Sequence, residues 1–242
     1  MVKKYKLFPL ADSLNEIHFP SDKTGLNSSI NRLKFDEHFF LQLLMRMKKS
    51  SFEANVTQPL GTIGDNVRSV KDNLPFNLTR AQKRVIKEII NDLNRTTAMN
   101  RLLQGDVGSG KTVVAIIAAA VSSDSGMQCA VLAPTEILAT QHFESFKKLT
   151  NQSSLSCELL IGKTQESKKK IILEKLKENK INILIGTHAL IQKGVVFNSL
   201  GLVIIDEQHR FGVDQRSKLI SKGQNPHFLA MTATPIPRTL AI

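Results

Sequence analysis

Residues 101–121 read RLLQGDVGSGKTVVAIIAAAV. Within them, GDVGSGKT fits the P-loop pattern GxxxxGK[ST], in which glycines let backbone N–H groups close around phosphates. The four residues before it are short enough for a strand, and the run after it is apolar on every side, as in a helix buried against a sheet. Strand, glycine turn and helix together predict a nucleotide site at the helix N-terminus.

A second motif follows downstream, where residues 202–209 read LVIIDEQH. An apolar strand ends there in two carboxylates. In a chain with a P-loop, we expect Lys111 to neutralise the outer phosphates and Thr112 and Asp206 to bind Mg2+. Glu207 is expected to align and activate the attacking water. The ligands predicted by the two motifs are therefore a nucleoside triphosphate and Mg2+.

The chain from residue 74 onward alternates between strand and helix patterns. Its strand candidates are apolar on both faces, and they span residues 129–133, 181–186, 202–206 and 227–232. Such runs, separated by helices, indicate a mostly parallel sheet covered by helices on both faces. Ligands of that α/β architecture lie at the carboxyl ends of the strands, where each motif falls. One rim of the sheet is therefore predicted to hold the chemistry.

Residues 1–73 lack this alternation, so we expect a small, mainly helical appendage and a domain boundary at residue 74. Its one strongly periodic element spans residues 30–48, where one helical face carries Leu33, Phe40, Leu44 and Met47. We interpret it as a packing helix. Residues 163–180 also predict an amphipathic helix, with inward-facing Ile171, Ile172 and Leu176 and with lysines that face solvent rather than DNA.

Composition narrows the class of partner. The 242 residues are 41% hydrophobic, enough for a full core, and the net charge of +12 suits a polyanion. With no Trp and one Tyr, contacts to a nucleic-acid backbone are favoured over base stacking. Cys129 and Cys157 lie in strand-like segments without metal spacing, and no apolar run reaches membrane length. We therefore expect a cytoplasmic protein with reduced cysteines and no membrane contact.

The motifs, in their order, resemble those of superfamily 2 helicases. GDVGSGKT, APTEILATQH, IGTHALIQ, VIIDEQHRFGV and MTATPIPRTLA are similar to motifs of the RecG family of bacterial DNA helicases. The resemblance covers roughly residues 74–242 and implies a RecA-like P-loop lobe that uses ATP. It also implies remodelling of branched DNA, such as stalled forks and Holliday junctions, in recombination and repair. Transcription-repair coupling factors share several of these motifs and remain an alternative.

A weaker resemblance continues upstream. IHFP at Ile17 and RLKFDEHFFLQL from Arg32 resemble the segment that links the DNA-binding wedge domain of the RecG family to its motor. The family pattern also includes a second motor lobe, which this sequence does not contain. We therefore expect the chain alone to bind nucleotide, with little hydrolysis and no unwinding.

The resemblance implies an ATP pocket in which Phe76 packs on adenine and Gln82 hydrogen-bonds its edge. The spacing of Thr79 and Gln82 also fits a capping box, which is a purely local explanation; we favour the nucleotide contact. The phosphates would lie against the loop residues Gly105, Asp106, Val107, Gly108, Ser109, Gly110, Lys111 and Thr112.

The remaining roles implied by the resemblance concern DNA and coupling. The residues of the DNA-strand track would be Pro134, Thr135, Glu136, Gln141, His142, Thr187 and His188. For Thr135, a helix N-cap is the local alternative. Gln208 and His209 would join Lys111 and Glu207 in catalysis by sensing the γ-phosphate. When the γ-phosphate is lost, they would communicate the change to the coupling segment Thr232, Ala233 and Thr234.

Two functions of other classes stay open. One is a non-catalytic DNA-binding remnant, which the basic charge would suit. The other is a different P-loop enzyme, such as a small-molecule kinase, although residues 206–209 and the TAT segment speak against it.

Overall fold

The computed structural model describes residues 4–53 and 56–233, and residues 48–53 only as backbone. It divides into two compact units, Met1–Ala54 and Asn55–Ile242. The first unit is helical and the second has a sheet with helices. None of the helices in the described ranges has the length and hydropathy of a membrane span.

The first unit consists of two helices, α1 (Leu10–His18) and α2 (Lys23–Glu53). Aromatic side chains hold α2 against the residues before α1, with the ring centroids of Tyr5 and Phe35 5.6 Å apart. The predicted helix at residues 30–48 is present, but its predicted packing face is wrong. Phe40 and Met47 are each 63% exposed, because the contacts within this unit use the side of α2 that carries Phe35.

The second unit contains six helices and six strands within the described residues. The helices are α3 (Asp65–Asp72), α4 (Arg80–Leu93), α5 (Lys111–Asp124), α6 (Glu136–Thr150), α7 (Glu166–Lys177) and α8 (Val213–Ile220). The strands are β1 (Asn100–Gln104), β2 (Gln128–Leu132), β3 (Cys157–Leu160), β4 (Ile183–Gly186), β5 (Leu200–Asp206) and β6 (His227–Thr232). Short 3-10 helices span His188–Ile191 and Gln208–Arg210.

The six strands form one parallel sheet in the order β1-β6-β5-β2-β4-β3. Strands β2, β4, β5 and β6 are buried along their whole length, as their apolar sequences predict. Helix α5 is buried from Val113 to Ser122, which explains why it is apolar on every side. Because all strands run the same way, the loops after their carboxyl ends share one rim.

Residues 56–73 pack with the second unit, although the sequence placed them in the appendage. The division between the units falls between Ala54 and Asn55, upstream of the predicted boundary at residue 74. Asp124, at the end of α5, accepts hydrogen bonds from the backbone nitrogens of Gly64 and Val67, at 2.8 and 3.1 Å. These bonds satisfy free N–H groups at the start of α3, and Val67 is fully buried.

Two further expectations changed with the structure. Strand β3, indicated in the sequence only by the strand-like segment around Cys157 and not among the four strand candidates, forms the edge of the sheet beside β4. Its mixed sequence CELL has three half-buried residues and one buried residue. In α7, Ile172 and Leu176 are buried as predicted, whereas Ile171 is 52% exposed. The helix covers the sheet with a narrower stripe than its sequence suggests.

The two cysteines belong to the core, as the sequence predicts. Cys129 and Cys157 pair with Ile183 from opposite sides of β4, so they lie about two strand spacings, roughly 9–10 Å, apart. That separation is too long for a disulfide. Burial raises the pKa of the Cys129 thiol well above its ordinary value and that of Cys157 to about 11. Both thiols therefore stay protonated near neutral pH.

Candidate nucleotide site

A glycine-rich turn joins β1 to α5 at the carboxyl rim of the sheet. Gly108 and Gly110 have φ angles of 81° and 83°, in the left-handed region that glycine adopts without steric cost. The ammonium group of Lys111 donates to the carbonyl oxygens of Gly105 and Asp106, at 2.6 and 2.9 Å. The lysine of the motif thus lies inside the turn formed by its own loop.

The acidic pair lies at the end of β5, a central strand of the sheet. Asp206 is 9% exposed, and its Oδ1 accepts a hydrogen bond from the backbone nitrogen of Glu207 at 3.0 Å. Glu207 has φ 46° and ψ 56°. This left-handed conformation is uncommon for a residue with a long side chain, and such residues cluster at functional sites.

The glycine-rich turn and the acidic pair face a single cleft, as the sequence predicts. The cleft has a volume of about 350 Å³, and its lining includes Gly108, Lys111, Thr112, Asp206 and Glu207. Its shape and its mixture of one ammonium and two carboxylates suit a phosphorylated ligand bound together with a cation.

The oxygen ligands of this cleft fit Mg2+. Thr112 supplies a hydroxyl and Asp206 a carboxylate to the same lining. Mg2+ is usually bound through one or two carboxylates together with phosphates and waters, rather than by a cage of protein groups alone. The site therefore fits Mg2+ that arrives with a nucleotide.

His142 lies in this cleft and not on the DNA-strand track to which the resemblance assigned it. The residue is 8% exposed, and its Nε2 is 2.7 Å from Oδ2 of Asp206. The physical reason is its position on α6, where it shares the buried face with Ala139 and Phe146. A polar residue at the core-facing spacing of an amphipathic helix was the signal in the sequence. Its neighbour Gln141 also lines the cleft, from a more exposed position.

Other residues of the predicted DNA track lie at the start of α6. Pro134 is half-buried and Thr135 is exposed. Thr135 is the N-cap of α6, where its Oγ1 accepts a hydrogen bond from the backbone nitrogen of Leu138 at 3.2 Å. The local alternative is therefore present, although the hydroxyl hydrogen is still able to donate. Oε2 of Glu136 lies 3.6 Å from Nζ of Lys163, in a solvent-exposed pair of small energetic value.

The third part of the predicted track follows β4. Thr187 is 2% exposed, and its hydroxyl has no hydrogen-bond partner among the described residues. A buried hydroxyl cannot contact DNA without local rearrangement, so the structure does not place this side chain on the rim. His188 is exposed at the start of the following 3-10 helix and remains a candidate for backbone contact.

The predicted adenine contacts lie around the start of α4. Oε1 of Gln82 accepts from the backbone nitrogen of Thr79 at 2.9 Å, and Oγ1 of Thr79 accepts from that of Gln82 at 3.2 Å. Nε2 of Gln82 also donates to the carbonyl oxygen of Ser109 at 2.9 Å. The capping box is thus formed, and one N–H of the Gln82 amide remains for a base. Phe76 is 49% exposed, and its adenine contact stays a prediction.

The predicted coupling segment begins beside the acidic pair. The carboxylate of Glu207 accepts hydrogen bonds from Oγ1 of Thr232 at 3.3 Å and from the backbone nitrogen of Ala233 at 3.4 Å. Nδ1 of His209 lies 3.2 Å from Oε2 of Glu207, and Gln208 precedes it in the 3-10 helix. Thr234 lies outside the described residues. Thr232, Ala233 and His209 therefore all contact the carboxylate of Glu207.

The sheet order, the glycine-rich turn after the edge strand and the carboxylates after a central strand define a RecA-like α/β domain. A family model agrees with this class and makes it more specific. The chain belongs to the DEAD/DEAH box helicase family, whose model matches residues 79–241.

Individual relatives make the resemblance more specific within this family. The chain is 48% identical over 244 residues to the ATP-dependent DNA helicase RecG of Synechocystis, covering 99% of the chain and 29% of the relative. It is 47% identical over 246 residues to the RecG protein of Streptococcus pneumoniae, covering 100% of the chain and 36% of the relative. The chain thus spans about a third of the length of the curated relatives that it matches. The resemblance to the RecG family is confirmed.

Solved structures agree with the observed fold. A structure of RecG bound to a three-way DNA junction matches with a TM-score of 0.84 and 43% identity, over 99% of this chain and 32% of that one. The structure of Mss116p bound to ssRNA and AMP-PNP matches with a TM-score of 0.59 and 20% identity, over 74% of this chain and 40% of that one. The second match supports the fold alone. The predicted α/β, RecA-like class is confirmed.

Proposed function

We propose that this chain is the ATP-binding motor lobe of a DNA helicase that couples ATP hydrolysis to the remodelling of branched DNA in recombination and repair. One observation carries the proposal: Lys111 and Thr112 of the glycine-rich turn share a cleft with Asp206 and Glu207. Family membership supports the helicase activity, and the RecG neighbour was solved on a three-way DNA junction.

Each residue of the cleft has a defined task in this proposal. The turn residues 105–112 form the P-loop, in which backbone N–H groups bind phosphate oxygens and Lys111 neutralises their charge. Thr112 and Asp206 would hold Mg2+, which when bound screens the charge of the outer phosphates. Glu207 orients and activates water for in-line attack on the γ-phosphorus. Gln208 and His209 sense the γ-phosphate next to Glu207.

A nucleotide titration tests the site assignment. Fluorescently labelled ATP is titrated with the full chain in the presence of Mg2+, and with the variant Lys111→Ala. A charge-assisted hydrogen bond contributes roughly 1.5–3 kcal/mol, so the variant should bind about 10-fold to 100-fold more weakly. Lys87→Ala is the matched control, since Lys87 is an exposed lysine on α4.

The same titration separates the competing functions. Equal affinities of the wild type and Lys111→Ala would reject the assignment of the P-loop. Salt-dependent DNA binding in a chain without any nucleotide affinity would favour the non-catalytic DNA-binding alternative. Transfer of phosphate to a small molecule, independent of DNA, would favour the kinase alternative.

The proposed DNA surface is the start of α6 together with His188. Thr135 is exposed at the N-cap of α6, where a hydroxyl and helix N–H groups can bind phosphate oxygens without reading sequence. The net charge of +12 favours such a backbone contact. A DNA partner also agrees with the cytoplasmic location that we predicted from the reduced cysteines of the sequence.

A charge change at the N-cap tests this surface. Thr135→Asp keeps a good N-cap residue but places a negative charge against the phosphates. We expect weaker binding of a branched oligonucleotide, with the slope of log affinity against log salt reduced by about one for each phosphate that the variant no longer binds. Thr79→Asp makes the same change at the N-cap of α4 and should bind DNA like the wild type when nucleotide is omitted.

A further inference from the structure

Helix α6 contributes a histidine to the part of the cleft that contains Asp206. His142 lies two turns into α6, and its Nε2 is 2.7 Å from Oδ2 of Asp206. We propose that His142 is a positioning residue of the Mg2+ site, which fixes the orientation of the Asp206 carboxylate. This inference rests on the nucleotide-binding function proposed above, because Asp206 needs an orientation only if it holds the cation.

The direction of this hydrogen bond follows from the chemistry of the two groups. An ionised carboxylate has no hydrogen to donate, so Nε2 of His142 carries the proton and donates it to Oδ2. Oδ1 of Asp206 accepts from the backbone nitrogen of Glu207 at 3.0 Å. Each oxygen is therefore held by one donor and keeps a lone pair. The carboxylate is fixed at both ends while it remains able to bind a cation or one of the cation's waters.

The burial of the histidine supports a specific role. The buried face of α6 comprises Ala139, His142, Phe146, Leu149 and Thr150. A leucine at position 142 would fill this face without burying a ring nitrogen, which costs free energy unless the nitrogen is hydrogen-bonded. Its Nε2 makes that bond to Asp206. The polar side chain at this core-facing position is therefore matched to the carboxylate and not to packing alone.

The need for such a partner comes from the demands of the cation. Mg2+ requires nearly ideal octahedral geometry, so a ligand that rotates freely binds it poorly. Carboxylates that bind metals are in turn hydrogen-bonded, and loss of such a partner typically costs about 10-fold to 100-fold in metal affinity. We therefore expect His142 to affect the Mg2+ requirement of nucleotide binding and not the contacts of the nucleotide itself.

The experiment measures this Mg2+ requirement directly. A fluorescent ATP analogue is held at constant concentration with the full chain, and Mg2+ is titrated from an EDTA-treated start. His142→Leu removes the donor, His142→Gln returns an N–H near the position of Nε2, and His18→Leu is the matched control at an exposed histidine. Nucleotide affinity without Mg2+ and the melting temperature are measured for every variant.

We expect His142→Leu to need at least about 10-fold more Mg2+ for half-maximal effect, and His142→Gln to stay within about 3-fold of the wild type. Nucleotide affinity without Mg2+ should be equal in all four proteins. An unchanged Mg2+ requirement in a folded His142→Leu would overturn the proposal. So would an equal loss in the Leu and Gln variants, since that result would indicate packing.

A measurement on the wild type keeps the proposal testable if His142→Leu does not fold. Long-range proton–nitrogen NMR spectra, assigned through His142→Gln, should show the Nε2–H tautomer of His142. Its signals should shift when Mg2+ is added to the nucleotide complex, but not with nucleotide alone. The Nδ1–H tautomer, or signals insensitive to Mg2+, would overturn the proposal. A wild type that binds no labelled ATP at all would instead overturn the proposed function, and this inference with it.

Discussion

Oε2 of Glu207 lies 3.3 Å from Oγ1 of Thr232, so a hydrogen bond joins the carboxyl ends of the neighbouring strands β5 and β6. Glu207 is the candidate residue for water activation, and Thr232 begins the candidate coupling segment. The backbone of Glu207 is left-handed at this point. A conformation that is costly for most side chains thus aims the carboxylate at the segment that is expected to respond to hydrolysis.

The left-handed backbone at Glu207 predicts an inverted order of stability. Glu207→Gly and Glu207→Ala both remove the carboxylate, but only glycine relieves the strain of φ 46°. The glycine variant should therefore be the more stable of the two by about 1 kcal/mol, although alanine is normally favoured over glycine. Thermal unfolding of both variants checks this. Equal stability, or a more stable alanine variant, would show that the turn is not strained.

The fold was predictable because the sheet is buried. Strands β2, β4, β5 and β6 are covered on both faces, which produces apolar runs that a sequence displays directly. Strand β3, indicated only by the strand-like segment around Cys157, and the boundary between the two units lack that signal. Strand β3 is an edge strand with a mixed sequence. Residues 56–73 join the second unit through three fully buried side chains, Leu60, Val67 and Val70, and through backbone N–H groups that donate to Asp124. Hydrogen bonds to backbone leave no pattern in side-chain hydrophobicity.

The site was predictable only in part, for a related reason. Lys111 and Asp206 belong to motifs whose chemistry is local in sequence, so their presence in one cleft followed from strand ends that share a rim. The position of His142 depends on which face of α6 meets the sheet, which the resemblance could not provide. For Thr187, the motif indicated the residue but not the burial of its hydroxyl. Orientation within an element was harder to predict than its location.

Substitution of Gln128 should cause a large loss of stability. It is 1% exposed, and its Nε2 donates to the carbonyl oxygens of Leu176 and Ile181 at 2.9 and 2.8 Å. Its Oε1 accepts from the backbone nitrogens of Asn198 and Ser199 at 2.8 and 3.0 Å. Gln128→Leu would leave four backbone groups without this partner, at roughly 1–3 kcal/mol for each group that stays unsatisfied.

We expect Gln128→Leu to lower the free energy of unfolding by at least about 3 kcal/mol, as measured by urea denaturation. Gln165→Leu is the matched control, because Gln165 is exposed and makes no side-chain capping bond; its effect should stay within about 0.5 kcal/mol. A similar, small effect of both substitutions would mean that water replaces the bonds of Gln128.

The buried His227 should make the stability of the folded chain depend on pH. It is fully buried; its Nδ1 accepts from the backbone nitrogen of Met99 at 3.0 Å, and Nε2 is 3.2 Å from the carbonyl oxygen of Gln58. Burial lowers the pKa of His227 from its ordinary value of 6.5. The unfolded chain therefore takes up a proton at a higher pH than the folded chain does.

The sign of this effect is fixed by the lowered pKa. The contribution of His227 is complete above pH 6.5 and is lost as the pH falls from there towards the folded-state pKa. Between about pH 7.5 and 5.5, the melting temperature of the wild type should fall more than that of His227→Gln, which cannot titrate. His18→Gln, at an exposed histidine, should behave like the wild type. Parallel curves for the wild type and His227→Gln would contradict the prediction.

Substitution of Gln82 should distinguish its structural role at the start of α4 from recognition of the adenine base. Its side chain closes the capping box with Thr79 and donates to Ser109 in the glycine-rich turn, yet one amide N–H remains for adenine. Gln82→Ala should lower stability by about 1 kcal/mol through the lost cap. If the remaining N–H reads the base, as we favour, the variant should also bind ATP more weakly while its affinity for GTP stays nearly unchanged.

The matched control for Gln82 is Gln215→Ala. Oε1 of Gln215 accepts from the backbone nitrogen of Gly212 at 3.3 Å, so this variant loses a similar bond at the start of α8 without touching the glycine-rich turn. Competition titrations of ATP and GTP against a labelled nucleotide give both affinities for each variant. An equal loss of ATP and GTP affinity in Gln82→Ala alone would mean that Gln82 supports the turn through Ser109 and does not contact the base. In that case the discrimination between bases would have to come from other groups near the start of α4, of which the exposed Phe76 would be the first to substitute.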